Sequence, residues 1–286
     1  MSKLPSGYTE LEYIHLDGTQ YIDMSFKATE NTKIEAKFHN EQSANSAVFG
    51  ADKAWTQDAF GIWINSTIAV PVVGTVSGTI GVSYSSAYDT FTLDKNTLKL
   101  NGGTIWTASG VSAFQTPTNV CLGAVNRNGT VSEKFVGRMY YCKAWESDTL
   151  IRNFVPCKNA SGVIGLYDMV GRQFYANAGT GAFTAGPEII PDPPAAPTGL
   201  QTVLAVVLQW AVSANADRYD VYRDGAKLGS TETTQYIDAT PEANQTYVYT
   251  VKAVNGGGES AGVSVTVYTK SGYFQYKPLI ESANFP

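Results

Sequence analysis

Charge is scarce in this chain. Of its 286 residues only 16% are Asp, Glu, Lys or Arg, and the net charge is −5. No long basic run occurs, which argues against a nucleic-acid backbone as partner. Long apolar runs are missing too. No segment approaches the ~18 consecutive apolar residues of a membrane helix, so no membrane insertion is expected. The opening MSKLPSGYTELEYI lacks the apolar stretch of a secretory signal. The expectation is synthesis in a cytoplasm, with any export by another route. Three cysteines, Cys121, Cys142 and Cys157, are odd in number, widely spaced and without a CxxC pair. They read as reduced thiols on strands rather than a disulfide framework. The two histidines, His15 and His39, are far apart in sequence and suggest no metal site.

Helical periodicity is almost absent, and alternation takes its place. In Thr32–Asn40, Ile34, Ala36 and Phe38 share one face while Lys33, Glu35, Lys37 and His39 share the other. That is the pattern of a half-buried antiparallel strand. Asp94-Lys95-Asn96, Asn101-Gly102-Gly103, Asn128-Gly129, Ser161-Gly162 and Ala178-Gly179 mark turns between further short strands. Over 135–145, alternation places Tyr140, Cys142 and Ala144 on one face and Tyr141, Lys143 and Trp145 on the other. Twenty-seven glycines and seventeen tyrosines fit many strands joined by tight turns. The fold class expected is all-β, a sandwich or jelly roll. Residues 65–88 form a charge-free stretch rich in Val, Ile, Gly and Ser. It reads as core strands or as an edge that pairs with a neighbour.

Prolines divide the chain. Pro187, Pro191, Pro193 and Pro194 cannot sit in a central strand and make a semi-stiff linker over 188–194. Alternation then resumes through Val206, Leu208 and Trp210, through Tyr219 to Arg223, through Tyr247 to Asn255, and through Val263 to Val267. The stretch 195–270 resembles a fibronectin type III domain. The resemblance is carried by Ala196-Pro197-Thr198-Gly199-Leu200, Trp210, Tyr219 to Gly225, and Thr246 to Ser260. It implies an immunoglobulin-like sandwich with Trp210 in the core and Tyr247 as the corner tyrosine that bonds back to the main chain. Where some members of that family carry an adhesive Arg-Gly-Asp, this chain has Asn255-Gly256-Gly257-Gly258. That speaks against adhesion by the same loop.

The first stretch, 1–187, opens with Leu4-Pro5-Ser6-Gly7-Tyr8-Thr9-Glu10-Leu11-Glu12-Tyr13-Ile14 and continues with Gly18-Thr19-Gln20-Tyr21-Ile22-Asp23. Later come Arg152-Asn153-Phe154-Val155-Pro156-Cys157-Lys158, Gly165-Leu166-Tyr167-Asp168 and Phe174 to Phe183. These segments resemble a module found in virion proteins of phages and prophages of Gram-positive gut bacteria. The resemblance implies a concanavalin A-like (laminin G-like) jelly-roll sandwich. Glucanases of that fold carry Glu-x-Asp-x-Glu or Glu-x-Asp-x-x-Glu on one strand. No such strand occurs here, and Glu10-x-Glu12 lacks the third carboxylate. The chain is therefore expected to be no enzyme. Sugar binding needs an exposed aromatic platform with polar neighbours. Trp55, in a loop with Asp and Lys, is the first candidate. Trp63 opposes Ile62 and Ile64, so either face is available for burial. Trp145 shares a face with Lys143, which favours exposure. A calcium site would draw on Asp52, Asp58 and Asp89, but no ligand spacing singles them out and no cofactor is expected.

The segment 271–286 carries Tyr273, Phe274, Tyr276, Leu279, Ile280 and Phe285, too apolar for a free solvated tail. It reads either as folding back on its own sandwich or as an anchor on a partner. The resulting expectation is a phage accessory or decoration protein on the virion surface, made in the host cytoplasm and held by capsid or tail proteins. It would present its jelly roll to a glycan or host surface in many copies. No heptad seam or fibrous repeat points to a main tail fibre. The alternative is a free bacterial glycan-binding protein with a fibronectin type III spacer; a glycoside hydrolase comes third.

Overall fold

The computed structural model describes residues 4–85, 87–203 and 207–270, and among these every regular element is a β-strand. The chain divides between Ile189 and Ile190 into two compact units. The expected anchor residues Tyr273, Phe274, Tyr276, Leu279, Ile280 and Phe285 lie outside the described residues.

The first unit is a jelly-roll sandwich of the concanavalin A kind. Its larger sheet runs, in spatial order, through Gly103–Thr107, Thr97–Leu100, Asp89–Asp94, Thr32–Asn40, Val136–Glu146, Thr149–Asn159, Ile164–Asp168 and Gln173–Ala176. The second sheet runs through Thr130–Ser132, Val125–Arg127, Ser46–Asp52, Ala59–Ile64, Ile68–Gly74 and Val76–Ser77. Strand Thr32–Asn40 pairs with partners more than fifty residues later on one side and about a hundred later on the other. Such long crossovers separate a jelly roll from a simple meander. Between the sheets, Ile34, Ala36 and Phe38 point inward at every second position. Phe38 packs edge-on to Phe135 at 5.8 Å and tilts against Phe91 at 5.4 Å, and all three are fully buried. Each such ring contributes roughly 1.5–3 kcal/mol of burial.

Strict alternation fails at one place. Met139 faces Phe38 across the ladder and Tyr141 faces Lys37, so Tyr140 is an extra residue in a β-bulge. The bulge lets Met139 and Cys142 both point inward and turns Tyr140 outward with Tyr141, away from the Cys142 face that alternation gives it. In the stretch 65–88, Ile68–Gly74 is mostly buried, while Val76–Ser77 and Ile80–Gly81 fold back on it at the rim of the sheet. Residues placed by sequence in the linker also belong to this unit's ladder. Glu188 bridges to Leu11, and the Ile189 N–H donates to the Glu10 carbonyl at 2.9 Å.

The second unit is a fibronectin type III sandwich. One sheet holds Gln201–Val203, Val207–Gln209 and Gln235–Ile237. The other holds Ala226–Thr231, Arg218–Arg223, Thr246–Asn255, Gly258–Glu259 and Val263–Tyr268. Its core gathers Leu208, Trp210, Tyr219, Val221, Tyr249, Val251, Ala253 and Val267. Trp210 meets Tyr219 edge-on at 5.3 Å. Tyr247 makes the corner: its hydroxyl accepts the Glu242 N–H at 3.0 Å.

Candidate functional site

The loop between strands Ser46–Asp52 and Ala59–Ile64 is short and stiff. The Gln57 N–H donates to the Ala54 carbonyl at 2.8 Å and closes a four-residue turn. Lys53 N–H returns to the Gln57 carbonyl at 3.0 Å. Thr56 and Asp58 both adopt left-handed backbone, φ 57° and 45°, which holds the turn in one shape. Trp55 sits in this turn with 46% of its surface exposed.

Trp63 supports it from below. The two indoles meet edge-on with centroids 4.9 Å apart. Trp63 lies on the outer face of the second sheet, in a small apolar cluster with Ala47, Ala59, Val72 and Val125. Small residues make room for the ring. A Cβ on Gly61 would fall 2.6 Å from the Phe49 carbonyl oxygen and 3.1 Å from the indole, and one on Gly50 would fall 3.5 Å from it. The sequence places Trp63 among the ligand platforms. With only 3% of its surface exposed it is the floor under Trp55 instead, because both faces of its strand are covered. Its Nε1 is buried and has no hydrogen-bond partner among the described residues.

A cleft of about 250 Å³ opens beside the pair, walled by Ile64, Ile68 and Val70 and edged by Asn45, Asn65 and Glu133. The Asn65 carboxamide oxygen accepts the N–H groups of Thr67 (3.0 Å) and Ile68 (2.9 Å), and its nitrogen donates to Asn45 Oδ1 at 3.2 Å. Glu133 is held by its neighbours. Its carbonyl accepts Ala47 N–H at 2.7 Å, and its Oε1 pairs with Arg127 Nη1 at 3.3 Å. Arg127 grips the fully buried Asp52 with two nitrogens, Nε to Oδ1 at 3.0 Å and Nη2 to Oδ2 at 3.1 Å. The bond to Asp52 raises the Arg127 pKa, against the opposing effect of burial. Asn45 and Glu133 line the cleft with the apolar residues, and neither the Asn45 amide nitrogen nor Glu133 Oε2 has a hydrogen-bond partner among the described residues. An exposed ring on a rigid floor, with a carboxamide and a carboxylate at its edge, suits a pyranose. Such a ring can cover a sugar's C–H face while polar groups beside it take the hydroxyls.

Trp145 is elsewhere. It lies on the outer face of the larger sheet, half-buried, with Lys33 Nζ 4.2 Å above its ring. The structure therefore brings Trp55 and Trp63 together and keeps Trp145 apart from them. Asn45, Asn65 and Glu133 escaped the sequence reading, since they come from separate loops and follow no period. Two of the acids considered for calcium are engaged. Asp52 belongs to Arg127, and Asp89 accepts Ser85 N–H at 2.8 Å and Asn101 Nδ2 at 2.9 Å. Among the described residues no cluster of three His, Cys, Asp or Glu has the arrangement of a metal site. Cys121, Cys142 and Cys157 are buried free thiols, and burial pushes Cys121 and Cys157 up to about 12. On the second unit, a shallow groove beside Trp210 is lined by Gln201, Gln209, Thr234 and Gln235, with no charged group.

No family model matches the chain. A poly(3-hydroxybutyrate) depolymerase of Ralstonia pickettii is 32% identical over 212 residues, 71% of this chain and 41% of the depolymerase. An alpha-amylase of Niallia circulans is 28% identical over 188 residues, 50% of this chain and 14% of the amylase. The chain thus spans less than half the length of these curated relatives. Among solved structures, the CBM40 of a Ruminococcus gnavus IT-sialidase, bound to α2,3 sialyllactose, covers 49% of this chain and 91% of its own, with TM-score 0.40 and 19% identity.

Proposed function

We propose that this protein is a non-catalytic attachment protein of a phage particle, in which the jelly roll binds a glycan at Trp55 and the fibronectin type III unit serves as spacer or mount. One observation carries the glycan reading: Trp55, half exposed on a closed turn, rests edge-on against Trp63 beside Asn45 and Glu133. The virion setting is supported by the resemblance of the segments Leu4 to Ile14 and Arg152 to Lys158 to a phage module. The non-catalytic reading is supported by the lining of the cleft. Glu133 is its one carboxylate, whereas glycoside hydrolysis ordinarily uses a pair. A single platform binds weakly, and many copies on one particle would raise avidity by roughly 10²–10⁴.

A glycan array with the purified protein tests the sugar site. Binding should appear and should fall at least tenfold in Trp55→Ala. No hits, or no change in the variant, would remove this reading. Release of product from any glycan would overturn the non-catalytic part. Saturable binding to particles that lack the protein, at a fixed number of sites each, tests the virion setting. The curated relatives favour a second reading. Both are named as enzymes, one of them a depolymerase, and this chain matches only part of each, as a binding portion with its spacer would. In that case the glycan array stays positive and the particles show no sites.

A further inference from the structure

The outer face of the larger sheet carries a second arrangement, independent of the Trp55 cleft. Strand Thr32–Asn40 turns Lys33, Glu35 and Lys37 outward. The adjacent strand sets Trp145 opposite Lys33, Lys143 opposite Glu35 and Tyr141 opposite Lys37. The bulge adds Tyr140 to the same face, where it meets Tyr13 at 5.4 Å and Tyr88 at 5.6 Å. Cations and rings alternate along this line. Lys33 Nζ stands 4.2 Å from the Trp145 ring centre, Lys37 Nζ 3.4 Å from Tyr88 and 5.3 Å from Tyr140, and Lys143 Nζ 5.2 Å from Tyr141. From Lys33 to Lys37 the strand advances about 13 Å at ~3.3 Å per residue.

The charges on this face do not cancel. Among the described residues none of Lys33, Lys37 and Lys143 makes an ion pair. Three of the nearby acids are engaged. Glu35 accepts the Tyr141 hydroxyl at 3.0 Å, Asp94 lies 3.7 Å from Lys99, and Glu41 pairs with Arg138 at 2.7 Å and with His15 at 2.9 Å. Glu35 and Glu12, the latter acting electrostatically on Tyr140, offset two of the three lysines, which leaves a local excess of one positive charge in a chain of net −5. A ring beneath an ammonium fixes its position without neutralising it. The cations are thus pre-placed, and a ligand loses less side-chain freedom in meeting them.

We propose that this face binds an acidic polysaccharide, its acid groups meeting Lys33, Lys37 and Lys143 where the rings hold them and its sugar units packing against the parts of Trp145, Tyr140 and Tyr88 that the lysines leave uncovered. Charge complementarity selects the acid, and the interleaved rings select a sugar chain over a bare polyanion.

Affinity electrophoresis of the full chain through gels holding polygalacturonate, dextran sulfate or neutral dextran tests this. Retardation is expected in at least one acidic gel and in no neutral one; which acidic gel retards distinguishes carboxylate from sulfate. The triple variant Lys33→Gln, Lys37→Gln, Lys143→Gln and the single variant Trp145→Ala should each weaken retention at least tenfold at unchanged melting temperature. Trp55→Ala should leave it intact. Should the triple variant fail to fold, Lys37→Gln and Lys143→Gln are read singly, with the same direction expected. No retardation in either acidic gel would overturn the proposal. So would equal competition by linear polyphosphate together with a silent Trp145→Ala, since bare charge would then explain the binding. Failure here leaves the Trp55 site standing, because the two faces belong to opposite sheets.

Discussion

Asp52 has no exposed side-chain surface, and one cation answers it. Removing that cation in Arg127→Ala leaves a buried carboxylate unpaired. Loss of a buried partner typically costs 3–5 kcal/mol, and about 3 is expected here because a third of the Arg127 side chain faces water. Chemical denaturation of wild type and variant measures it. The same variant frees Glu133 from its pairing, so at the proposed site glycan affinity should fall with stability, whereas Trp55→Ala should lower affinity alone. At this scale the sequence was partly legible. Trp55 stands in a loop beside charged residues, which marks an exposed ring. Trp63 could not be assigned a face, since Phe60, Ile62 and Ile64 fill the core while Ala59 and Trp63 fill a second apolar cluster behind it. Burial on both faces erases the alternation that reports orientation.

At the scale of the element, dipeptides decide the hairpins. Asn101-Gly102, Asn128-Gly129 and Asp224-Gly225 each place two consecutive residues at positive φ between paired strands, the geometry of a type I′ turn. All three are visible in sequence. Ser147-Asp148 makes the same turn without glycine, φ 48° and 67°, and carries no such signal. The bulge at Tyr140 is equally silent, because one inserted residue looks like ordinary alternation until its partner strand is known. In the turns, glycine matters where φ demands it. Gly225→Ala, at φ 82°, should cost about 1–2 kcal/mol. Gly256→Ala, with open space around its Cβ and no positive φ, should cost less than about 0.5 kcal/mol. Thermal melts of the two variants give the contrast directly.

At the scale of the whole molecule, pH enters through buried acids that are held by hydrogen bonds and cations. In the fibronectin type III unit, burial works against the ionised forms of Asp220 and Asp238, yet both pKa values end up lowered. Lys227 and Ser230 bond Asp220, while Thr240, Tyr249 and Arg223 bond Asp238. A carboxyl whose folded pKa lies below its unfolded value adds stability above the unfolded value, near 3.8 for Asp. That stability disappears as pH falls through the folded value. The melting temperature of this unit should therefore be flat from pH 7 to about 5 and drop below about 4, by a larger step in wild type than in Asp220→Asn. Calorimetry across that range checks it. The division into two sandwiches was legible from alternation and from the run of prolines. The end of the first sandwich was not. Glu188 and Ile189 pair with Leu11 and Glu10 through backbone groups that any residue type supplies.

That pairing has a consequence for how the jelly roll can be carried. Its incoming chain at Glu10–Glu12 and its outgoing chain at Pro187–Ile189 run side by side, joined by hydrogen bonds of 2.8 and 2.9 Å. A sandwich whose two ends leave from one spot is a cassette. It needs a single attachment point, tolerates permutation of its chain order, and can be grafted into a surface loop of a host protein without prising that loop apart.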